Sequence, residues 1–340
     1  MILVTGATGF LGRNLCPHLV ENGFPVRALV RPTSDAGFLR DLGVRLVVGD
    51  IRDRDAVLRA MSGCERVVHA AGMFRFWGRR EDFYETNVQG TANVLHAASQ
   101  IGVQRLVHIS TLVVVGAPRS DQIVDEQVPC QPQDDYQRSK LQAERMVLTT
   151  EHESSVPAIV LRPGAFYGPW GRYAFNRLFF EDPLRGLPMG VHRGRRITFP
   201  AYVPDVAQAI VAALGRGRTG EVYNIVGECL PHSEVHETIS RLAGIRPWRL
   251  NPPAFTLIWL ARAWSVLARY TDREPYYAIN MVPYVFCDWN CTHTKAAREL
   301  GFQPTPFEEG ARHTLDWYRQ QGFGPTNWLG RVIAKVWQLG

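Results

Sequence analysis

The stretch that most limits what this chain can fold into is Met1-Ile-Leu-Val-Thr-Gly6-Ala-Thr-Gly9-Phe-Leu-Gly12. The apolar run from Met1 to Val4 reads as a buried strand. The pattern Leu15, Leu19, Val20 after Gly12 reads as a helix. Three glycines at three-residue spacing between them give a tight turn, with a backbone that a ligand can approach past no Cβ. The helix that follows turns its unpaired N–H groups and positive dipole end toward that ligand, which suits a pyrophosphate. In this context the glycines read as a dinucleotide-binding turn.

Beyond the turn, apolar strand patterns alternate with helical ones. Strands are expected at Val26–Val30, Val44–Val48, Arg66–His69, Leu106–Ser110 and Ala158–Leu161, with another at Glu221–Val226. Helical patterns fall around Ala56–Ala60, Phe83–Gln100 and Ser139–Glu151. Such alternation implies βαβ units and an α/β fold built on a doubly wound parallel sheet. Ligands of these sheets bind at the carboxyl ends of the strands, so the strand ends are the positions to inspect.

The second strand ends Val30-Arg31-Pro-Thr-Ser34. A site for NAD usually carries an acid there to hold the ribose hydroxyls; Arg31, with Ser34 close by, suits a 2′-phosphate instead. NADP is therefore the expected cofactor, with NAD the alternative. Gly49-Asp50-Ile51 ends the third strand and offers an acid and an apolar residue to an adenine. His69-Ala70-Ala71-Gly72 ends the fourth, its small residues letting a cofactor lie close, while His69 reads as a satisfied buried histidine. The fifth ends Ser110-Thr111, and Tyr136-Gln-Arg-Ser-Lys140 opens a helix after it. Tyrosine and lysine at i, i+4 share one helix face. An ammonium beside a phenol is expected to lower its pKa, giving an acid or base for a hydroxyl or ketone that Thr111 also orients.

Together these pieces resemble the extended short-chain dehydrogenase/reductases, the NAD-dependent epimerase/dehydratase superfamily. The matching residues are the glycine turn, Gly49-Asp50, Asn87-Val-Gln-Gly90-Thr91, Ser110-Thr111, Tyr136-x3-Lys140, Arg162-Pro163-Gly164 and Tyr202-Val-Pro-Asp205-Val. The resemblance implies a Rossmann-type sheet over 1–165 with later returns near 198–226. A smaller, mainly helical substrate domain would follow at 166–325, then an amphipathic tail at 326–340. It assigns catalysis to Thr111, Tyr136, Lys140 and Asn87, the last as a structural or proton-relay residue. Cofactor contacts fall on Gly6, Thr8, Gly9, Phe10, Leu11, Gly12, Arg31, Ser34, Asp50, Ile51, Ala70, Ala71, Gly72, Ser110, Tyr136, Lys140, Pro163 and Gly164. Two branches look nearest: 3β-hydroxysteroid dehydrogenases with the decarboxylating sterol-4α-carboxylate 3-dehydrogenases, and nucleotide-sugar epimerases. Flavonoid and aldehyde reductases look more distant.

The C-terminal half adds apolar mass. Residues 252–269 read as a mostly apolar helix with a polar stripe of Arg262, Ser265 and Arg269, and the tail from Trp328 repeats the design. Both readings stay open for them, a packed helix or a membrane interface. A net charge of +6 spread over 340 residues gives no basic run interleaved with aromatics, so nucleic acid is not an expected partner. The six cysteines show no metal-like spacing, and no metal is expected. With a strand expected from Met1, no secretory leader is expected, and the location reads as cytoplasmic or peripheral on the inner face of the membrane. The expected activity is oxidation of the 3β-hydroxyl of a sterol or related polycyclic isoprenoid, with loss of a carbon-4 carboxylate where one is present. A nucleotide-sugar epimerase and a non-enzymatic NADP-binding regulator are the alternatives. Expected partners are a small lipophilic substrate, an upstream oxygenase, the membrane surface and a second copy of the chain.

Overall fold

The computed structural model describes residues 1–323 apart from 155, 188–189, 248–249 and 272. Seven strands, β1 (Ile2–Thr5), β2 (Val26–Val30), β3 (Arg45–Val48), β4 (Arg66–His69), β5 (Arg105–Ile109), β6 (Ala158–Pro163) and β7 (Val222–Ile225), form one parallel sheet. Its order is β7-β6-β5-β4-β1-β2-β3. The unbroken apolar runs arise because the central strands are covered on both faces; every residue of β1 and β6 is buried. Helices α1 (Phe10–Glu21) and α5 (Val203–Arg216) pack on one face, and α2 (Arg54–Met61), α3 (Gly90–Ile101) and α4 (Asp135–Ser154) on the other. The strand order reverses at β1, which pairs with β2 on one side and β4 on the other. That reversal opens a crevice at the strand ends.

The strand patterns match to within one or two residues at each end, whereas the helix starts were displaced. α4 begins at Asp135, one residue before the Tyr136 expected to open it and ahead of the apolar pattern from Ser139. The cause is polar: the Asp134 carboxylate accepts the Gln137 N–H at 2.7 Å and its carbonyl accepts the Arg138 N–H at 3.0 Å, satisfying N–H groups that a helix start leaves open. α2 likewise starts early, on the side chain of Asp53. The pattern around 83–100 is one helical run interrupted by a π-turn at Tyr84–Gln89.

After β6 the chain adds α6 (His232–Ala243), α7 (Ala254–Thr271) and α8 (Phe307–Gln320), together with three two-stranded ribbons that draw on this part. An aromatic cluster of Tyr167, Phe175, Phe180, Tyr202, Trp317 and Tyr318 gives it a core of its own. The polar stripe expected on α7 does not form one surface. Ser265 points inward, its Oγ accepting the Ile279 N–H at 3.1 Å, while Arg262 is exposed. The Arg269 side chain and the tail at 326–340 lie outside the described residues. Among the described residues no helix is long and apolar enough to cross a membrane.

One ion pair ties α4 to the sheet. Glu144 on α4 accepts from Arg162 on β6 at 3.0 Å (Nε to Oε2) and from the Ser110 hydroxyl at 2.6 Å, with both charged side chains almost fully buried. Removing one partner strands the other charge away from water. Glu144→Ala should therefore lower the unfolding free energy by about 3–5 kcal/mol in denaturant titration; a loss no larger than that of an exposed alanine substitution would show that water reaches Arg162.

Candidate functional site

The crevice holds a cavity of about 900 Å3 that runs from the glycine turn, past the ends of β4 and β5, to the C-terminal half. Gly6 has φ +76°, and a Cβ there would lie 2.7 Å from the backbone of Ala70 and Ala71. Only glycine lets the turn close on the end of β4. Gly9 caps α1 in extended conformation and is exposed to the cavity, so the first N–H groups of α1 lie at the cavity wall without helix partners. Thr8, Phe10 and Leu11 also line it. Gly12 does not: a Cβ there would sit 2.3 Å from the Ala7 carbonyl oxygen, so this third glycine serves the packing of turn on helix.

Farther out, Arg31, Ser34, Asp50 and Ile51 line the cavity as expected. Two cations join them that spacing did not single out. Arg52 grips the Asp50 carboxylate with Nε and Nη2, both at 3.1 Å. Burial pushes that carboxyl up, but the Arg52 contacts outweigh it and hold Asp50 below its usual value. Arg40 lines a second cavity of about 460 Å3 that shares Arg31 and Ser34 with the first. The residues present fit a dinucleotide: a glycine turn at a helix start, a strand-order reversal and a basic far end.

The central segment brings together Ala70, Ala71, Gly72, Ser110, Thr111, Tyr136, Lys140, Pro163 and Gly164, all on the cavity wall. α4 supplies Tyr136, Lys140 and Glu144 from one face, and each meets the end of β5. The Thr111 hydroxyl faces the Tyr136 phenol closely enough to favour its ionised form. Lys140 Nζ donates to the Ile109 carbonyl at 2.6 Å. Ser110 spends its hydroxyl on Glu144. The expected lowering of the Tyr136 pKa is not what the surroundings produce. Burial, beside Phe74 at 4.8 Å, pushes the phenol well above its usual value, and the Thr111 hydroxyl offsets this only in part. Burial also lowers Lys140 to about 8, partly opposed by Glu144.

Asn87 stands behind this wall. Its amide accepts from Met73 N at 2.7 Å and donates to Met73 O and Ser139 Oγ, which fixes the loop after Gly72 against α4. The π-turn is what aims it there. His69 is a satisfied buried histidine as expected, paired with Thr5 at 2.8 Å and Thr91 at 2.9 Å, and burial with the nearby Lys140 lowers it to about 3. Spacing also missed the far wall: Phe76, Tyr173, Leu178, Phe179, Tyr284 and Val285. Aromatic density between 166 and 180 was its only trace. Ala174, at φ +49°, holds the wall segment in a conformation that non-glycine residues seldom adopt. Cys229 and Cys291, unpaired by spacing, lie together, with Cys229 Sγ accepting the Cys291 N–H at 3.4 Å. Among the described residues no cluster of three metal-ligating side chains occurs.

Residues 2–226 match the model of the NAD dependent epimerase/dehydratase family. A sterol demethylase protein B from Methylococcus capsulatus is 30% identical, over 94% of this chain and 98% of that protein. The 3-beta-hydroxysteroid dehydrogenase of Mycolicibacterium neoaurum is 28% identical over 89% of this chain and 87% of its own length. Among solved structures, a dTDP-glucose 4,6-dehydratase from Streptomyces venezuelae with NAD bound superposes with a TM-score of 0.77. It is 25% identical and covers 95% of this chain and 98% of that one.

The buried lysine makes a stability prediction. Between pH 8 and 10.5 Lys140 is neutral in the folded chain and protonated in the unfolded one. The unfolded state then binds the extra proton, so stability rises with pH across that window. The unfolding free energy of the native protein, measured relative to Lys140→Met, should move in the native protein's favour as pH climbs through about 8. A pH-independent difference would mean that Lys140 keeps an ordinary pKa.

Proposed function

The chain belongs to the NAD-dependent epimerase/dehydratase family, as an enzyme of the extended short-chain dehydrogenase/reductase type, and from that premise we propose that it oxidises the 3β-hydroxyl of a sterol or related polycyclic isoprenoid to a ketone. The observation that carries this reading is the far wall of the cavity. Past Tyr136 it is built of Phe74, Phe76, Tyr173, Leu178, Phe179 and Tyr284. Its one cation among the described lining residues, Arg75, is already paired with Glu274 at 3.1 Å. A nucleotide sugar brings a diphosphate that needs cations; a polycyclic alcohol needs apolar surface and one polar end. The arginine cluster at 193–196 supplies no free cation to the cavity: Arg196 is held by Asp288 at 2.7 Å, and neither Arg193 nor Arg195 lines it. The sterol-related relatives agree with this reading in name.

Within the site a nicotinamide cofactor supplies hydride acceptance, and this chain's residues do the rest. The N–H groups of Gly9, Phe10 and Leu11 would hold its pyrophosphate, and Pro163 and Gly164, on the same cavity wall as Tyr136, would hold its nicotinamide end. Arg31 and Ser34, with Arg40 beside them, offer charge and a hydroxyl to a 2′-phosphate, which makes NADP the cofactor of this proposal. The substrate hydroxyl lies between Thr111 and Tyr136, with its ring system along the aromatic wall. Oxidation hands the hydroxyl proton to Tyr136 in its phenolate form, and a protonated Tyr136 returns it to a ketone in reduction. Because burial raises the phenol, the phenolate that oxidation needs is gained as pH rises. Where the substrate carries a carboxylate on carbon 4, the product is a β-keto acid, which loses carbon dioxide without a further catalytic residue. An oxygenase that oxidises the carbon-4 methyl would supply that substrate.

Two experiments test the reading. Incubation with NADP or NAD and either a 4-carboxysterol or a nucleotide-sugar panel, followed by mass spectrometry, should yield the 3-ketone, and Tyr136→Phe should slow its formation about 100-fold or more while binding cofactor normally. Turnover of a nucleotide sugar in place of the sterol would transfer the case to an epimerase. Separately, Arg31→Asp should weaken NADP about tenfold or more and NAD far less, because it replaces an attraction for the 2′-phosphate with repulsion. Tighter binding of NAD than of NADP by the unaltered protein would remove Arg31 from the argument.

A further inference from the structure

Helix α7 is packed inside out. Its inward stripe consists of small residues, Ala261 and Ala268 being almost fully buried and Ser265 bonded to the Ile279 backbone. Its large apolar side chains face outward: Phe255, Trp259, Val266, Leu267 and Tyr270 are 68, 71, 53, 57 and 84% exposed. At 3.6 residues per turn the outward set spans an arc of roughly 120° along a helix about 27 Å long. A helix that lies on a soluble core normally shows the reverse, and exposed apolar surface in one contiguous patch marks an interaction site.

We propose that α7 is a docking face for an anionic lipid bilayer, lying in the plane of the headgroups with its aromatic side inserted. The argument is charge together with shape. Residues 254–271 contain arginine and no acidic residue, and exposed Arg262 borders the apolar arc next to Phe255 and Val266, where its guanidinium reaches lipid phosphates. Glu274, just beyond the helix, is taken up by Arg75. A second copy of the same face would bring arginine against arginine. The tail, with Arg331 and Lys335, carries the same sign. An anionic surface is the partner that complements both the charge and the apolar arc. Through Trp264, stacked on Tyr277 at 5.9 Å, and the adjoining Ala278, which packs with Phe76, α7 is also one layer away from the aromatic wall of the cavity. The docked face thus sets that wall close to the lipid, whatever substrate the cavity takes.

Sedimentation with extruded vesicles tests this on the full chain. The protein should pellet with phosphatidylcholine vesicles containing phosphatidylglycerol, and much less with phosphatidylcholine alone. Trp259→Glu combined with Val266→Glu should reduce anionic-vesicle binding at least about tenfold. Both positions are solvent-facing, so cofactor binding and circular dichroism should match the unaltered protein, and a chain ending at residue 323 should still pellet. Equal pelleting of the double variant, or no vesicle binding by the unaltered protein, overturns the proposal. Loss of binding on truncation alone gives the surface to the tail. A dimer that the double variant dissociates, with no vesicle binding, gives it to a second copy. Because vesicle binding is read without turnover, failure here leaves the sterol reading standing, and failure of sterol turnover leaves this one.

Discussion

Everything chemical in this molecule hangs on the contact between one face of α4 and the end of β5. Positions i, i+4 and i+8 of the helix are Tyr136, Lys140 and Glu144, and they meet Thr111, the Ile109 carbonyl and Ser110 in turn. Three side chains from one helix face thus find their partners in three neighbouring residues at the strand end. Glu144 then passes the anchor on to Arg162 in the next strand. If α4 turned about its axis, all three contacts would be lost together, so the phenol is located by the same forces that hold the sheet to its helical cover.

The cost of that arrangement is borne by Lys140. An ammonium confined among buried groups loses water, and the fall of its pKa to about 8 measures the loss. The two histidines beneath it adapt: His69 and His108, tilted against each other at 5.2 Å on neighbouring strands, are both held neutral by burial and by the lysine charge. Three titratable side chains thus share one dry pocket with one positive charge among them at neutral pH. Ionising either histidine would set a second cation against the first.

Sequence made the sheet legible because a parallel strand buried on both faces must be apolar throughout, and because the glycine turn and the Tyr136–Lys140 pair are local patterns. It conveyed less where the deciding partner is remote or polar. Spacing shows that a lysine shares a face with a tyrosine, but not that both are out of water, so the direction of the phenol shift was missed. Nothing near Arg40 or Arg52 marks them as neighbours of Arg31 and Asp50. Their place depends on which strand ends lie side by side. The third glycine of the turn was read as a ligand contact and proved to be a packing contact, since a missing Cβ answers either need. The aromatic wall is assembled from segments about a hundred residues apart in sequence, Tyr173 and Tyr284 among them, and no periodicity links such segments.

The position of β1 has a consequence for how the chain comes into being. β1 lies inside the sheet, between β2 and β4, and its second edge stays unpaired until residues 66–69 arrive to fill it. On a ribosome, synthesis is directional, so a strand of four buried residues must wait, half-covered by β2, while residues 31–65 are made. Parallel pairing over that span is slow because a loop must close before any contact rewards it. The glycine turn, and the crevice it borders, takes shape only when β4 docks and Ala70 comes against Gly6. The crevice at the glycine turn is therefore not closed before β4 has been made.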